Sequence, residues 1–252
     1  MGKNNLKEGV VVELKNINKF FKINHESQNN SLKSFFLDPM SAFKRNYQTE
    51  FHALKNINLT INKGESVGII GSNGSGKSTT LKIIAGIYSP DGGKVLTRGK
   101  VVPFLELGVG FNPDLTAREN VFLNGTILGM TRDEIKRKFD SIVDFAEVRD
   151  FLDTPIKNFS SGMLVRLAFS IAIQAEGDVY ILDEILSVGD VKFQEKSRKE
   201  FEKLRMSGKT LIFVSHSMAS IKEFCNRAVC IKNGEMFEKP TMEETINFYL
   251  EG

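Results

Sequence analysis

The stretch Gly71-Ser-Asn-Gly-Ser-Gly-Lys-Ser78 decides the fold, because it fits the pattern G-x-x-x-x-G-K-[ST] at every fixed position. It follows the short apolar stretch Ser66-Val-Gly-Ile-Ile70, which predicts a strand. It precedes Thr79-Thr-Leu-Lys-Ile-Ile-Ala-Gly86, which predicts a helix that ends at its glycine. A strand, a glycine-rich loop and a helix in this order favour a phosphate-binding loop over a chance glycine-rich turn.

This loop has the chemistry that a phosphate chain requires. Its glycines allow backbone N–H groups to turn toward an anion, and the following helix adds the partial positive charge of its N-terminus. Lys77 is predicted to reach the β- and γ-phosphates, and the Ser78 hydroxyl to ligate Mg²⁺. The predicted phosphate-binding residues are Gly71, Ser72, Asn73, Gly74, Ser75, Gly76, Lys77, Ser78 and Thr79.

The bulk composition narrows the class of protein. The chain has 252 residues, of which 41% are hydrophobic and 26% charged, as in a globular domain with a sizeable core. A net charge of +3 is too small to indicate nucleic-acid binding. The sequence shows neither a secretory signal nor an apolar run long enough to span a bilayer, so we expect any membrane to be reached through a partner. Cys225 and Cys230 are expected to be buried, reduced thiols.

Strand and helix patterns alternate along the chain, which predicts an α/β fold with a mostly parallel core sheet. One domain, residues 1–252, is expected, with the core and an antiparallel β subdomain formed by 1–104 and 177–252. Within residues 105–176 the apolar residues recur at helical spacing, which predicts an inserted helical subdomain. Residues 23–50 form a second insertion, expected to pack on the parent domain or, alternatively, to dock on a membrane partner or lipid headgroups.

A second anion site is predicted far from the loop. Phe159-Ser-Ser-Gly-Met163 opens the helix Leu164-Val-Arg-Leu-Ala-Phe-Ser-Ile-Ala-Ile173, and small residues at a helix N-terminus suit a phosphate. Shortly afterwards, the apolar strand Asp178-Val-Tyr-Ile-Leu-Asp-Glu184 ends in two carboxylates. Two half-sites in one chain suggest that ATP is sandwiched between two copies.

Together these motifs resemble those of ABC-transporter ATPase subunits, and the resemblance covers nearly the whole chain. Residues 71–78 match the Walker A motif, and Ile181-Leu-Asp-Glu184 matches Walker B. Phe159–Met163 resembles the signature motif in a Ser-Ser-Gly-Met form. Ser187-Val-Gly-Asp190 resembles the D-loop, and His216 resembles the switch histidine.

The resemblance also points to one branch of the family. Glu106-Leu-Gly-Val-Gly-Phe-Asn-Pro-Asp-Leu-Thr-Ala-Arg-Glu-Asn120 and Asp183-Glu-Ile-Leu-Ser-Val-Gly-Asp190 are similar to the bacterial exporters of O-antigen, capsule and teichoic acid. The insertion at 23–50 is similar to that group as well. The resemblance implies a P-loop NTPase fold, in a short form without a C-terminal carbohydrate-binding domain.

Catalytic roles follow from the resemblance. It implies that Asp183 holds Mg²⁺ through water and that Glu184 polarises the attacking water. His216 is expected to contact the γ-phosphate and to align Glu184, and Lys77 completes the predicted catalytic set. A helix cap is the structural alternative for the carboxylate pair.

Binding roles follow in the same way. The resemblance implies that the signature residues Ser160, Ser161 and Gly162 bind the γ-phosphate held by the opposite copy, with Asp190 in the D-loop. It also implies that Phe21 stacks on adenine, with Phe51 and His52 as further candidates near the base. An ordinary helix cap at Ser160 and a core position for Phe21 are the alternatives.

One position departs from the family pattern. ABC ATPases usually carry a glutamine that ligates Mg²⁺ and senses the transmembrane partner, whereas the corresponding segment here is Leu105-Glu-Leu-Gly108. Glu106 is the candidate replacement.

The resulting prediction is an ATP- and Mg²⁺-dependent transport ATPase at the cytoplasmic face of the bacterial cell membrane. It is expected to work as a homodimer beneath a separate transmembrane permease, and to drive export of a lipid-linked polysaccharide. An importer or a drug exporter is the nearer alternative. A soluble DNA-handling ATPase is disfavoured because the chain lacks heptad repeats and excess positive charge, so no nucleic-acid partner is expected.

Overall fold

The computed structural model describes residues 6–25, 47–105, 107–183 and 189–251. Glu106, Glu184 and most of the predicted insertion at 23–50 therefore lie outside the described residues. The described strands are β1 Val10–His25, β2 Tyr47–Asn62, β3 Ser66–Ile70, β4 Gly92–Thr97, β5 Val101–Phe104, β6 Val179–Asp183, β7 Thr210–Val214, β8 Arg227–Lys232 and β9 Glu235–Phe237. The described α-helices are α1 Lys77–Ile84, α2 Ala117–Ile127, α3 Arg132–Ala146, α4 Ser161–Gln174, α5 Val191–Met206, α6 Met218–Phe224 and α7 Met242–Leu250.

Within the described ranges, a six-stranded sheet forms the core, in the order β5-β6-β7-β3-β8-β9. All neighbours pair in parallel except β8 and β9, which form an antiparallel hairpin. Because β3, β6 and β7 are parallel, the loops that follow them meet at one edge of the sheet. Ligands of open α/β sheets bind at this carboxyl edge.

A separate antiparallel sheet has the order β2-β1-β4. Strands β1 and β2 form a long ladder in which Phe21 lies opposite Phe51. The strands are longer than the apolar pattern predicts: residues 23–25 and 47–50, assigned to the insertion from sequence, belong to β1 and β2. Main-chain hydrogen bonds keep these polar ends in the strands, although the spacing of their side chains does not predict a strand.

Helices α2, α3 and α4 lie between β5 and β6 in the chain, as the change of period predicts. Reciprocal capping boxes begin the first two helices, between Thr116 and Glu119 and between Thr131 and Glu134. No helix in the described part of the chain is both long and apolar enough to cross a membrane.

Alternation along the core strands creates two hydrophobic clusters, one on each face of the sheet. On β6, Val179 and Ile181 belong to the cluster that includes α1 and the β1–β2 sheet, whereas Tyr180 and Leu182 belong to the cluster that includes α2–α7. A sheet covered on both faces explains why its strands read as continuous apolar runs.

These observations confirm the predicted α/β class with a mostly parallel core sheet, an antiparallel β layer and inserted helices. The subdomain boundaries stay a prediction. Cys225 and Cys230 are buried and free of disulfides, as expected.

Candidate functional site

The loop between β3 and α1 is closely packed against neighbouring backbone. Gly71 has φ 153°, and a Cβ at this position would lie 2.3 Å from the Ile231 carbonyl oxygen. Only glycine fits there without moving the main chain. The loop thereby approaches β8 closely and presents its own backbone to the cavity above it.

The Lys77 side chain is folded into this loop. Its ammonium donates hydrogen bonds to the Gly71 and Ser72 carbonyl oxygens at 2.8 and 2.9 Å, and the residue is 6% exposed. Helix α1 begins at this lysine, and its N-cap Gly76 makes no side-chain cap bond. A buried cation and the first N–H groups of a helix therefore lie together at a site suited to an anion.

Two oxygen-bearing side chains meet beside the lysine. The Ser78 hydroxyl lies 3.4 Å from Oδ2 of Asp183, although the two residues are 105 positions apart. Asp183 is the last residue of β6, where it pairs with Val214 of β7. His216 follows that strand and reaches the same edge of the sheet.

A cavity of about 270 Å³ opens over these groups. Nine predicted site residues line it: Phe21, Asn73, Gly74, Gly76, Lys77, Ser78, Thr79, Asp183 and His216. Phe51 and Ala53 complete the lining. Gly71, Ser72 and Ser75 belong to the same loop but do not line the cavity. The side chains predicted from separate motifs thus converge on one space, which is lined by aromatic rings of the antiparallel sheet and by the lysine, carboxylate and histidine of the core.

His52 does not line this cavity. Its ring stacks on Phe20 with centroids 4.1 Å apart, and its Nε2 lies 3.0 Å from Oδ1 of Asn18. Of the two further base-site candidates, only Phe51 reaches the cavity. Side chains alternate across a strand, so these neighbours on β2 face opposite ways.

Gly234, which was not among the predicted site residues, supports the phosphate-binding loop from outside. Its N–H donates to the Ser75 carbonyl at 3.1 Å, and its carbonyl accepts from the Lys55 N–H at 2.7 Å. The β8–β9 turn thereby joins β2 to the loop. An Asn-Gly pair signals a hairpin turn in sequence, but nothing local signals what that turn contacts.

The signature residues lie at the start of α4, away from the cavity lining. Ser160 caps this helix, since its hydroxyl accepts from the Met163 N–H at 3.2 Å. Ser160, Ser161 and Gly162 are exposed, whereas the preceding Phe159 is buried. The structure therefore shows the helix cap directly, on a turn anchored by one aromatic ring and open to solvent.

Asp190 caps the N-terminus of α5 in the same way, since its carboxylate accepts from the Phe193 N–H at 2.9 Å. It also lies 4.0 Å from Arg166 of the signature helix α4. Ser187 and Glu184, the other predicted residues of this segment, lie outside the described residues.

Together the fold and the converging loop, carboxylate and histidine define an ATP-binding cassette. Residues 54–187 match the family model described as ABC transporter, and this match spans more than half of the chain. The chain belongs to the ABC transporter family.

The relatives include ATP-binding proteins of export systems. The chain is 40% identical over 239 residues to the O-antigen export system ATP-binding protein RfbB of Klebsiella pneumoniae, covering 95% of this chain and 97% of that protein. It is 36% identical over 249 residues to the teichoic acids export ATP-binding protein TagH of Listeria monocytogenes, covering 99% of this chain and 71% of that protein. These matches confirm the resemblance to the polysaccharide-export branch.

A solved structure agrees with the fold. The dimeric post-hydrolysis state of the ATP-binding cassette MJ0796, bound to ADP and phosphate, superposes with a TM-score of 0.68 at 26% identity. The match covers 92% of this chain and 98% of that one.

Proposed function

We propose that this chain is the ATP-hydrolysing subunit of an ABC exporter that moves a lipid-linked polysaccharide across the bacterial cell membrane. The observation that carries the proposal is the single cavity that brings Lys77, Ser78, Asp183 and His216 together. The O-antigen and teichoic-acid export relatives support the substrate class.

Phosphate binding is assigned to the loop and the first turn of α1. Their backbone N–H groups bind the β- and γ-phosphates of ATP. Lys77 lies within the loop and neutralises phosphate charge, while Phe21 receives the adenine at the other end of the cavity. The aromatic end contributes stacking, and the basic end contributes electrostatic binding.

The donor set beside the loop fits Mg²⁺. A hydroxyl and a carboxylate oxygen 3.4 Å apart match the preference of this ion for oxygen ligands and for few protein donors beside phosphates. Ser78 would ligate it directly and Asp183 through water. Bound Mg²⁺ neutralises the charge that develops on the transferred phosphoryl group. Glu106 stays a candidate for the position that glutamine usually occupies.

Hydrolysis is assigned to Glu184 and His216. Glu184 follows Asp183 directly in the sequence and acts as the residue that polarises the attacking water. His216, at the cavity wall, aligns this carboxylate and contacts the γ-phosphate.

Dimerisation is proposed to complete the site. Ser160, Ser161 and Gly162 are exposed and line no part of their own chain's cavity, which supports a role over the cavity of a second copy. Asp190, the D-loop residue, is assigned to the same interface, which is supported by its 4.0 Å contact with Arg166 of the signature helix. ATP closes the dimer and hydrolysis reopens it, and this cycle drives a separate transmembrane permease at the cytoplasmic face of the membrane.

The ATPase assignment is tested with three variants of the full chain. Lys77→Ala is expected to lose ATP binding, while Glu184→Gln is expected to bind ATP, form a dimer on gel filtration and stop turning over. Lys136→Ala is the control, since Lys136 is an exposed lysine that lies 4.0 Å from Asp133 on α3. Wild-type hydrolysis in Glu184→Gln contradicts the catalytic assignment.

The transport assignment is tested in cells that carry Lys77→Ala at the native locus. If the chain drives export, lipid-linked polysaccharide is expected to accumulate inside the cell, and a membrane-embedded protein is expected to co-purify with the chain. Loss of nutrient uptake or gain of drug sensitivity, with normal surface polysaccharide, identifies the importer or drug-exporter alternative instead. Co-purification with DNA and no membrane partner identifies a DNA-handling ATPase.

A further inference from the structure

The Phe21 ring lines the cavity, and residues from three segments lie beside it. It lies opposite Phe51 in the β1–β2 ladder, and both rings line the cavity. Tyr88, in the segment after α1, meets Phe21 edge-on with ring centroids 5.8 Å apart. The Lys19 ammonium lies 5.6 Å from the centroid of the Phe21 ring. Edge-on aromatic contacts and cations near a ring face are both favourable, so these contacts restrict the orientation of the ring.

Asp91 ties this part of β1 to the turn before β4. Strand β4 begins at Gly92, which pairs with Asn18, so Phe20 lies beyond the end of that ladder. The Phe20 N–H donates to the Asp91 carboxylate at 2.6 Å, and the Asp91 N–H donates to the Asn18 carbonyl at 2.9 Å. A side chain thereby replaces the missing strand as the acceptor.

Lys19 completes the cluster. Its ammonium pairs with the Asp91 carboxylate at 3.2 Å, and only 15% of the lysine side chain is exposed. The Phe20 N–H and, to a smaller extent, the Lys19 ammonium hold the pKa of Asp91 below its ordinary value, so the carboxylate is charged at neutral pH. One carboxylate therefore holds both the main chain before Phe21 and the cation beside its ring.

We propose that Asp91 and Lys19 are positioning residues that hold the Phe21 ring in the orientation that stacks on the adenine of ATP. This inference rests on the proposed function. Neither residue lines the cavity, so both act through the ring at its base end, whereas Lys77 and Ser78 act at its phosphate end. Loss of the Asp91–Lys19 pair weakens binding of a ligand that carries a base and leaves binding of a bare phosphate chain unchanged.

Calorimetric titration of the full chain with ATP and with inorganic tripolyphosphate separates the two ends of the cavity. In Lys19→Met and in Asp91→Ala, the Kd for ATP is expected to rise about twofold to tenfold, the range that an aromatic contact contributes. The Kd for tripolyphosphate is expected to stay at the wild-type value. In hydrolysis assays both variants are expected to show a higher KM for ATP and an unchanged kcat.

Two further variants serve as matched controls. Lys19→Arg keeps the cation and the ion pair, so it is expected to bind ATP as the wild type does. Lys15→Met removes a lysine of the same strand that pairs with Glu13 at 2.9 Å but is 56% exposed. It is expected to leave both affinities unchanged.

Four results separate the inference from the function on which it rests. Wild-type ATP affinity in Lys19→Met and Asp91→Ala, with a loss in Phe21→Ala, overturns the positioning role. Equal losses for ATP and tripolyphosphate also overturn it, because they indicate a general effect on the fold. Wild-type ATP affinity in Phe21→Ala overturns the stacking role, and retained ATP binding in Lys77→Ala contradicts the proposed function itself.

The hydrogen bond from the Phe20 N–H to Asp91, together with the Lys19 pair, also predicts a dependence of stability on pH. Since the folded-state pKa of Asp91 is lowered, its stabilising contribution is present above the unfolded pKa and is lost as pH falls through the folded value. The difference in unfolding free energy between wild type and Asp91→Asn should be constant near neutral pH. It should shrink below the ordinary aspartate pKa of 3.8. Urea titrations across this range measure the difference, and a constant value down to the acid limit contradicts the contacts of Asp91 with Phe20 and Lys19.

Discussion

Replacement of Gly234 by alanine tests the contact between the β8–β9 turn and the phosphate-binding loop. Gly234 has φ 79°, and an added Cβ would lie 2.7 Å from the Ala53 carbonyl oxygen. The three nearest atoms are all main-chain atoms of His52 and Ala53, so no flexible side chain can move away. The turn must shift, and its hydrogen bonds to Ser75 and Lys55 shift with it.

Gly208 provides the matched control. Its φ of 73° is nearly the same, but an added Cβ there meets no atom within 4 Å. A left-handed backbone costs a residue with a Cβ about 1–2 kcal/mol, so this cost is common to both variants. Gly234→Ala additionally strains two hydrogen bonds that contribute about 0.5–1.5 kcal/mol each. We therefore expect a loss of about 1–2 kcal/mol for Gly208→Ala and about 2–5 kcal/mol for Gly234→Ala.

Urea unfolding measures the stability difference, and titration with ATP measures the functional consequence. Because Gly234 contacts the loop through Ser75, only Gly234→Ala is expected to weaken ATP binding as well as stability. Equal losses of stability in the two variants, with wild-type ATP affinity in both, would refute the reasoning.

Three further predictions concern the signature turn, the core and the thiols. Ser160→Ala and Thr241→Ala each remove a helix N-cap, at a cost of about 1 kcal/mol of unfolding free energy. Only Ser160→Ala should also lose ATP hydrolysis and ATP-dependent dimerisation. If both variants hydrolyse ATP equally well, Ser160 acts only as a helix cap. Ile142→Ala, at a fully buried position of α3, should lower the free energy of unfolding in urea by about 2–5 kcal/mol. Ile127→Ala, at a position that is 57% exposed, should change it by no more than about 0.5 kcal/mol. Similar losses in the two variants would contradict the difference in burial. Burial raises the pKa of the Cys225 thiol to about 12, so it should resist a thiol reagent at pH 8 until urea unfolds the chain, and rapid labelling of the native protein contradicts this.

Elements with a local signal were predicted well. Ser66–Ile70 matches β3 in full, since a short apolar run beside a glycine-rich loop is an unambiguous pattern. Thr131 and Glu134 form a capping box, a pattern that the sequence signals locally because both partners lie within one helical turn. The signature helix begins at Ser161, directly after the small residue that caps it.

Features that depend on contacts between distant segments were predicted poorly or not at all. The ends of β1 and β2 are polar, and only their mutual pairing keeps them in strands. Phe51 and His52 are adjacent candidates in sequence, yet only the first faces the cavity. The alternation that separates them depends on the register of β2, which sequence periodicity did not define this far along the strand.

By itself the sequence determined that this chain has a phosphate-binding loop between a strand and a helix, and that it carries the motifs of the ABC transporter family. Those properties depend on residues within a few positions of each other, where side-chain spacing reports burial and backbone geometry directly. Only the tertiary structure decided that Ser78 meets Asp183, that Gly234 supports the loop, and that Asp91 holds the strand before Phe21. These contacts join separate strands, and their partners are chosen by sheet order and register, which leave no trace in the local pattern.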